Sequence, residues 1–197
     1  MENNTIHDET ISQKSELQKM IDGENYNSFI PELVKMRKDA RILMKKYNDS
    51  GLDSEEERLE ILTKLFGKHE GDIKIEPPFL CDFGFNIKVG KNFYMNFDCV
   101  ILDTASVEIG DNVLCGPKVQ LYTPSHPLEA EPRSNGIEFA KKIKIGNNVW
   151  IGGGAIVCPG VTIGDNTVIG AGSVVTRNIP SDVVAVGNPC KVIKNLK

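Results

Sequence analysis

Of the three histidines in this 197-residue chain, His126 stands where chemistry is expected, inside Pro124-Ser125-His126-Pro127. Imidazole changes protonation near neutrality, so it suits taking a proton from a hydroxyl. The segment from Pro124 to about Lys142 interrupts a regular pattern on both sides and carries Pro124, Pro127 and Pro132, which marks an inserted loop. His7 and His69 lie outside that pattern and are assigned no task. Trp150, the one tryptophan, stands beside a glycine run and reads as a ligand surface. The five cysteines (Cys81, Cys99, Cys115, Cys158, Cys190) have no CxxC spacing, so they read as small core residues and not as a disulfide framework or zinc knot.

The elements that must hold these groups follow from a six-residue beat. Ile145, Ile151, Val157, Ile163, Ile169 and Val175 recur every sixth residue, and Ile143, Val149, Ala155, Val161, Thr167 and Ser173 each precede one of them by two. Residues i and i+2 of a strand share a face, so each hexad offers two inward side chains on a very short strand. Glycine follows the aliphatic residue at Gly146, Gly152, Gly164 and Gly170, where a sharp corner is needed. Three such sides make a triangular coil, and stacked coils make a parallel β-helix. Val107, Val113 and Val119 keep the same beat, in phase with Ile143 across the loop, while Ile87, Phe93 and Cys99 continue it upstream with a two-residue slip.

Ahead of the repeat the pattern is helical. A capping box is expected at Thr10 and Gln13, before Leu17 and Ile21. A second helix starts at Pro31 and runs on Leu33, Met36, Ala40, Leu43 and Tyr47 to a stop at Asn48 to Gly51; a third starts at Ser54, with Glu57 completing a box, and ends at Gly67. The division expected is a helical lid over 1–75, a solenoid over 76–186 with its loop at 124–142, and a tail over 187–197. Net charge is −4 with mixed signs, which argues against nucleic acid or an anionic membrane as partner. The polar start lacks a signal peptide's apolar region, so a cytoplasmic location is expected.

The strings PPFLCDFGFNIKVGKNFYMN (77–96), GPKVQLYTPSHP (116–127), IGNNVWIGGG (145–154) and PGVTIGDNTVIGAGSVVTRNIP (159–180), with VGNPCKVIK near the end, resemble the maltose and galactoside O-acetyltransferases, a family of hexapeptide-repeat acyltransferases. The resemblance implies a left-handed coil, His126 as general base, and the Gly153 amide as oxyanion donor to an acetyl carbonyl. It places acetyl-CoA against Asn96, Trp150, Gly153, Ala171, Thr176, Arg177, Lys191 and Lys194. Lysine at the last two positions replaces arginines common in the family and gives a point charge in place of a planar fork. A sugar-like acceptor falls to Arg37, Asp82, Tyr94 and Asn96. Asp103 is a further candidate, equally readable as a corner aspartate, and Glu138 in the loop's Gly-x-Glu string is expected to orient or stabilise protonated His126. An acid common near the start of the second helix is missing from Tyr26-Asn27-Ser28-Phe29-Ile30-Pro31.

The expected reaction is direct acetyl transfer from acetyl-CoA to a sugar-type hydroxyl, without an acetyl-enzyme, in a homotrimer whose pockets lie between subunits, so that Trp150 faces the loop histidine of another copy. Transfer to an antibiotic hydroxyl or a sugar amine is the alternative within the class, and a non-catalytic solenoid scaffold the alternative outside it. A zinc hydratase on this architecture needs three imidazole ligands, and the repeat has one, so no metal is expected.

Overall fold

The computed structural model describes residues 14–51 and 53–197, so the capping box at Thr10 and Gln13 lies outside the described residues. Helix α1 (Glu16–Asp22) is instead capped by Ser15, whose hydroxyl accepts from the Gln18 amide at 3.1 Å. Strand β1 (Tyr26–Asn27) leads to α2 (Pro31–Asn48), which starts at the expected proline and buries Leu33, Ala40, Met44 and Tyr47. Helix α3 (Glu55–Leu65) follows Ser54, but that residue sits at φ −95°, ψ 41°, and its side chain makes no capping bond. The box with Glu57 therefore does not form, because an N-cap needs extended backbone to aim its oxygen at the first turn.

Three strands then make each turn. The first is β2 (Lys68–His69), β3 (Ile73–Ile75) and β4 (Phe79–Cys81); the second is β5 (Ile87–Val89), β6 (Phe93–Met95) and β7 (Cys99–Leu102); the third is β8 (Val107–Ile109), β9 (Leu114–Cys115) and β10 (Gln120–Tyr122). The insertion carries β11 (Pro124–Ser125), α4 (Ala130–Ser134) and β12 (Ile137–Ala140). Two more turns follow: β13 (Ile143–Ile145), β14 (Trp150–Ile151) and β15 (Ile156–Val157), then β16 (Thr162–Ile163), β17 (Val168–Ile169) and β18 (Val174–Val175). A last partial turn ends in β19 (Val183–Val186), on which β20 (Lys191–Asn195) folds back antiparallel. The solenoid thus opens at Lys68, ahead of residue 76, because backbone pairing of β2 with β5 places a strand that has no aliphatic hexad of its own. Residues 191–195 of the expected tail supply β20.

The prism has three faces, each a parallel sheet: β2-β5-β8-β13-β16, then β3-β6-β9-β14-β17-β19, then β4-β7-β10-β15-β18. The paired inward positions of the hexads are buried without exception, from Val107 and Ile109 through Ser173 and Val175. This core runs on without a break into Ala40, Met44, Ile61, Leu62 and Leu65. The helices therefore cover the end of the prism. Asn48 donates to the Phe79 carbonyl at 2.9 Å and accepts from the Phe79 amide at 2.8 Å, which occupies the outer edge of β4.

The corners are not alike. Where the first face turns into the second, Asn92, Asn112, Asn148 and Asn166 have φ near +55° and form a ladder, each amide donating to the next at 2.9 Å and the last to Asp182. Asparagine tolerates that backbone and stacks its side chain at the spacing of the coils. The second corner, after the second face, holds Asn96, Gly116, Gly152-Gly153-Gly154 and Gly170-Ala171-Gly172. The third, between the third face and the next turn, explains the two-residue slip. It carries the longer stretches 82–86 and 103–106, and at the same corner the insertion leaves the prism. Pairing of Ile87 with Val107 and of Ile145 with Ile163 shows the coil shortening from twenty residues to eighteen once that corner is relieved of its extra length.

Candidate active site

His126 projects from the third corner. Strands β11 and β12 form a hairpin with Ser125 opposite Phe139, so the ring follows directly on a paired strand. Its Nδ1 lies 3.3 Å from the Ile137 carbonyl. A carbonyl only accepts, so the contact is made with a proton on Nδ1, which in the neutral ring puts the lone pair on Nε2; that nitrogen has no partner among the described residues. The ring is exposed.

The N-terminal region holds the other side of this hairpin. Strand β1 adds to β12 with Tyr26 opposite Glu138 and Asn27 opposite Ile137, and both the amide and the hydroxyl of Ser28 donate to the Gly136 carbonyl at 3.1 Å. The buried Tyr26 phenol donates to Glu138 Oε2 at 2.6 Å, and burial, reinforced by that carboxylate, raises its pKa well above the ordinary value. Glu138, expected to orient or stabilise protonated His126, accepts from Tyr26 through Oε2, and among the described residues the imidazole's one hydrogen-bond contact is with the Ile137 carbonyl.

Beside this pair lie Asp82 and Arg37. The Arg37 guanidinium donates to the Ser28 carbonyl at 2.7 Å and rests 5.6 Å from the centre of the Phe83 ring. Burial pushes the half-buried Asp82 carboxyl above its ordinary value, Arg37 pulls it back, and Glu138 pushes it further. Asp103, a candidate acceptor contact, is fully buried and is corrected to the corner reading: its oxygens take the amides of Asp82, Phe83 and Asn86. Burial drives its pKa up to about 6, with those N–H groups holding it back.

The second corner and the face beside it carry most of the other predicted residues. Gly152 N–H donates to Ile169 and Gly154 N–H to Pro117, whereas among the described residues the Gly153 and Ala171 N–H groups donate to no backbone partner. A methyl at Gly116 would lie 2.6 Å from Gly153 N, and one at Gly152 would lie 2.5 Å from Ala171 N. Glycine at these two positions keeps a line of N–H donors uncovered. Asn96 follows β6 at this corner, with its Oδ1 accepting from Phe97 N at 2.8 Å. Tyr94, Leu114, Trp150 and Val168 stand in register down the outside of the second face, with Trp150 56% exposed. Lys191 pairs with Val186 and Lys194 with Val184 at the outer edge of the same sheet. Thr176 and Arg177 follow β18 and so lie at the third corner.

One chain therefore gathers the candidate residues at two corners and does not join them. Tyr26, Arg37, Asp82, His126 and Glu138 cluster at the third corner; Asn96, Gly153, Ala171 and Lys191 line the second, with Tyr94 and Trp150 on the face beside it. The whole third face lies between, and among the described residues no hydrogen bond joins the loop to Gly153. Also among the described residues, no three His, Cys, Asp or Glu side chains gather as a metal site, and no helix is long and apolar enough to cross a membrane.

Comparison with known proteins bears on both halves. The family described as maltose acetyltransferase hexapeptide capping motif matches residues 19–71, and that described as bacterial transferase hexapeptide (six repeats) matches 142–177. The galactoside O-acetyltransferase of Escherichia coli is 43% identical over 88% of this chain and 86% of its own length. The chain belongs to the maltose and galactoside O-acetyltransferase family. Its members are acetyltransferases, and the fold agrees. A maltose O-acetyltransferase from Clostridium difficile superposes with TM-score 0.92 at 50% identity, covering 93% of this chain and 98% of that one. A galactoside acetyltransferase solved in complex with coenzyme A superposes with TM-score 0.90 at 40% identity, covering 94% and 92%.

Within this acetyltransferase, sequence reasoning missed Tyr26, Ser28 and the Ile137 carbonyl. A two-residue strand has no periodicity to find, and a main-chain acceptor leaves no residue type to read. Gly116 did leave a signal, since it sits at the same point of its hexad as Gly152 and Gly170.

Proposed function

We propose that this acetyltransferase moves the acetyl group of acetyl-CoA directly to a hydroxyl of a sugar or sugar-like acceptor, with His126 as general base. The observation that carries the reading is the Nδ1 contact with the Ile137 carbonyl, which leaves Nε2 as an unpaired acceptor on an exposed ring. Nε2 takes the acceptor's hydroxyl proton as its oxygen bonds to the thioester carbonyl carbon; the carbonyl oxygen becomes an oxyanion and is met by the Gly153 N–H. Collapse breaks the carbon–sulfur bond, and the imidazolium returns the proton to the departing thiolate of coenzyme A. Asp82, Arg37 and Glu138, with Tyr26 behind it, supply the polar groups that a sugar's hydroxyls require.

The donor fits the second corner. Two N–H groups without a partner among the described residues, an exposed indole and Lys191 stand at this corner or on the face beside it, and the structurally similar galactoside acetyltransferase was solved with coenzyme A. Covalent catalysis by cysteine is disfavoured: burial raises all five thiols, Cys99 to about 11 and Cys81, Cys115, Cys158 and Cys190 likewise upward. The separation of the two corners supports a homotrimer in which the loop of one copy meets the Gly153 corner of the next. A cytoplasmic setting suits five unpaired thiols.

The test is release of coenzyme A, followed with a thiol reagent over a panel of galactosides, maltose, amino sugars and an antibiotic alcohol. His126→Ala is expected to lower kcat/KM by about 10²–10⁴ on the best acceptor. Near-normal turnover by that variant would remove the base assignment. A calorimetric titration with acetyl-CoA that gave no heat would favour a scaffold.

A further inference from the structure

Asp103 is a carboxylate placed where none is needed to fill the prism. It is fully buried, and its oxygens take backbone amides of the turn below: Oδ1 accepts from Asp82 at 3.1 Å and from Phe83 at 2.9 Å, and Oδ2 accepts from Asn86 at 3.3 Å. Asn86 ties the same corner from the other side, donating to the carbonyls of Asp103 at 2.8 Å and Thr104 at 3.1 Å. Other corners manage with one amide per side chain. Lys91, Asp111 and Asn147 each give their N–H to one side-chain oxygen of the next coil, and one turn on at the third corner itself Ala105 gives its own to the neutral Thr123 hydroxyl at 2.9 Å. Gathering three amides on one buried charge is a costly way to make a turn, and it is used at the corner beside the acceptor groups.

The clamped amides belong to residues of the acceptor side. The Asp82 carboxyl lies in the field of Arg37, Glu138 and Arg41; Phe83 carries the Arg37 guanidinium on its ring; and Arg37 reaches the Ser28 carbonyl, whose own amide holds Gly136. One residue further on is the carbonyl that receives His126 Nδ1. We infer that Asp103 is a positioning residue for the acceptor: through the amides of Asp82 and Phe83 it fixes where the Asp82 carboxylate and the Arg37 guanidinium are presented, without touching the acceptor itself. This rests on the reading of the third corner as the acceptor side of the proposed reaction.

The test compares Asp103→Asn, Asp82→Asn and the double variant, using whichever of the galactosides, maltose, amino sugars and antibiotic alcohol has the highest kcat/KM. Asp103→Asn is expected to raise the KM for acceptor about tenfold while the KM for acetyl-CoA and the kcat stay within about threefold. The double variant should be no worse than Asp82→Asn within about twofold, because Asp103 acts through Asp82. Additive losses would mean direct contact and overturn the inference, as would an equal rise in both KM values. Should Asp103→Asn not fold, Asn86→Ala is expected to give a smaller rise with the same selectivity. Amide exchange gives an arm independent of any acceptor. In Asp103→Asn the amides of Asp82, Phe83 and Asn86 should exchange at least about tenfold faster, with Gly110 and Gly146 unchanged. Unchanged exchange at those three amides would sink the idea even where no acceptor is turned over, whereas an inactive wild-type protein would sink only the proposed reaction.

Discussion

His126 is held by one main-chain contact, and the groups around it are held by their neighbours; the third corner is built from side chains that support one another. Asp103 shows what that costs. Its folded pKa of about 6 exceeds its ordinary 3.8, so between those values the native state keeps a proton that the unfolded chain releases. Stability contributed by this group therefore falls as pH rises through that window and levels off above it. Unfolding free energies of wild type and Asp103→Asn, measured from pH 4 to 7.5, should move against wild type by up to about 3 kcal/mol, since each tenfold difference in proton affinity between the folded and unfolded chain is worth about 1.4 kcal/mol. Asp82 is raised in the same direction and is present in both proteins, so it enters the difference only as far as loss of the Asp103 charge and clamp moves it. A difference that does not change with pH would show that the carboxyl is not titrating there. His126 was legible from sequence because it is the lone histidine of the repeat and sits in its one long interruption. Asp103 was legible as a corner residue but not as a clamp, since its partners are backbone amides of a different turn.

The strands were legible through their inward pairs, and even the slip before Val107 was visible. Its meaning was not: a corner lengthened by two residues announces itself as a fault in the beat, and only stacking shows that the faults and the inserted hairpin coincide. The glycine corner makes a sharper prediction. A methyl on Gly152 would lie 2.5 Å from Ala171 N and 2.9 Å from Ala171 Cα, so Gly152→Ala must push adjacent coils away from each other and cover a free donor. Acetyl-CoA affinity by calorimetry should fall about tenfold or more, with a loss of about 1–3 kcal/mol in stability. Gly154→Ala is the control: at φ +69° it bears backbone strain of about 1–2 kcal/mol, but nothing lies within 4 Å of the added methyl, so binding should hold. Equal loss of affinity in both variants would remove the donor line from the site.

At the scale of the molecule, the three outer faces differ. Lys68, Lys88, Glu108 and Lys144 run down the first, whereas Tyr94, Leu114, Trp150 and Val168 make an apolar column on the second. Leu114 and Trp150 are 49% and 56% exposed, an apolar surface that suits the proposed contact with another copy. Leu114→Lys is expected to shift the light-scattering mass from that of the proposed trimer to that of a monomer and to cut turnover at least about tenfold, while Glu108→Lys leaves the mass unchanged. An active wild-type monomer would contradict the shared pocket. No periodicity in one chain records which of its faces meets a copy of itself, so the sequence could reach this level only by resemblance.

The reversal of β20 against β19 has a further effect. A pile of identical rungs has no natural length, and each open end invites another rung, from the same chain or a stranger. Here α2 and α3 seal one end, and at the other the chain doubles back while Val174 donates to Gly187 and accepts from Cys190. Growth is stopped in both directions, so the hairpin that carries His126 always sits the same number of storeys from either stop.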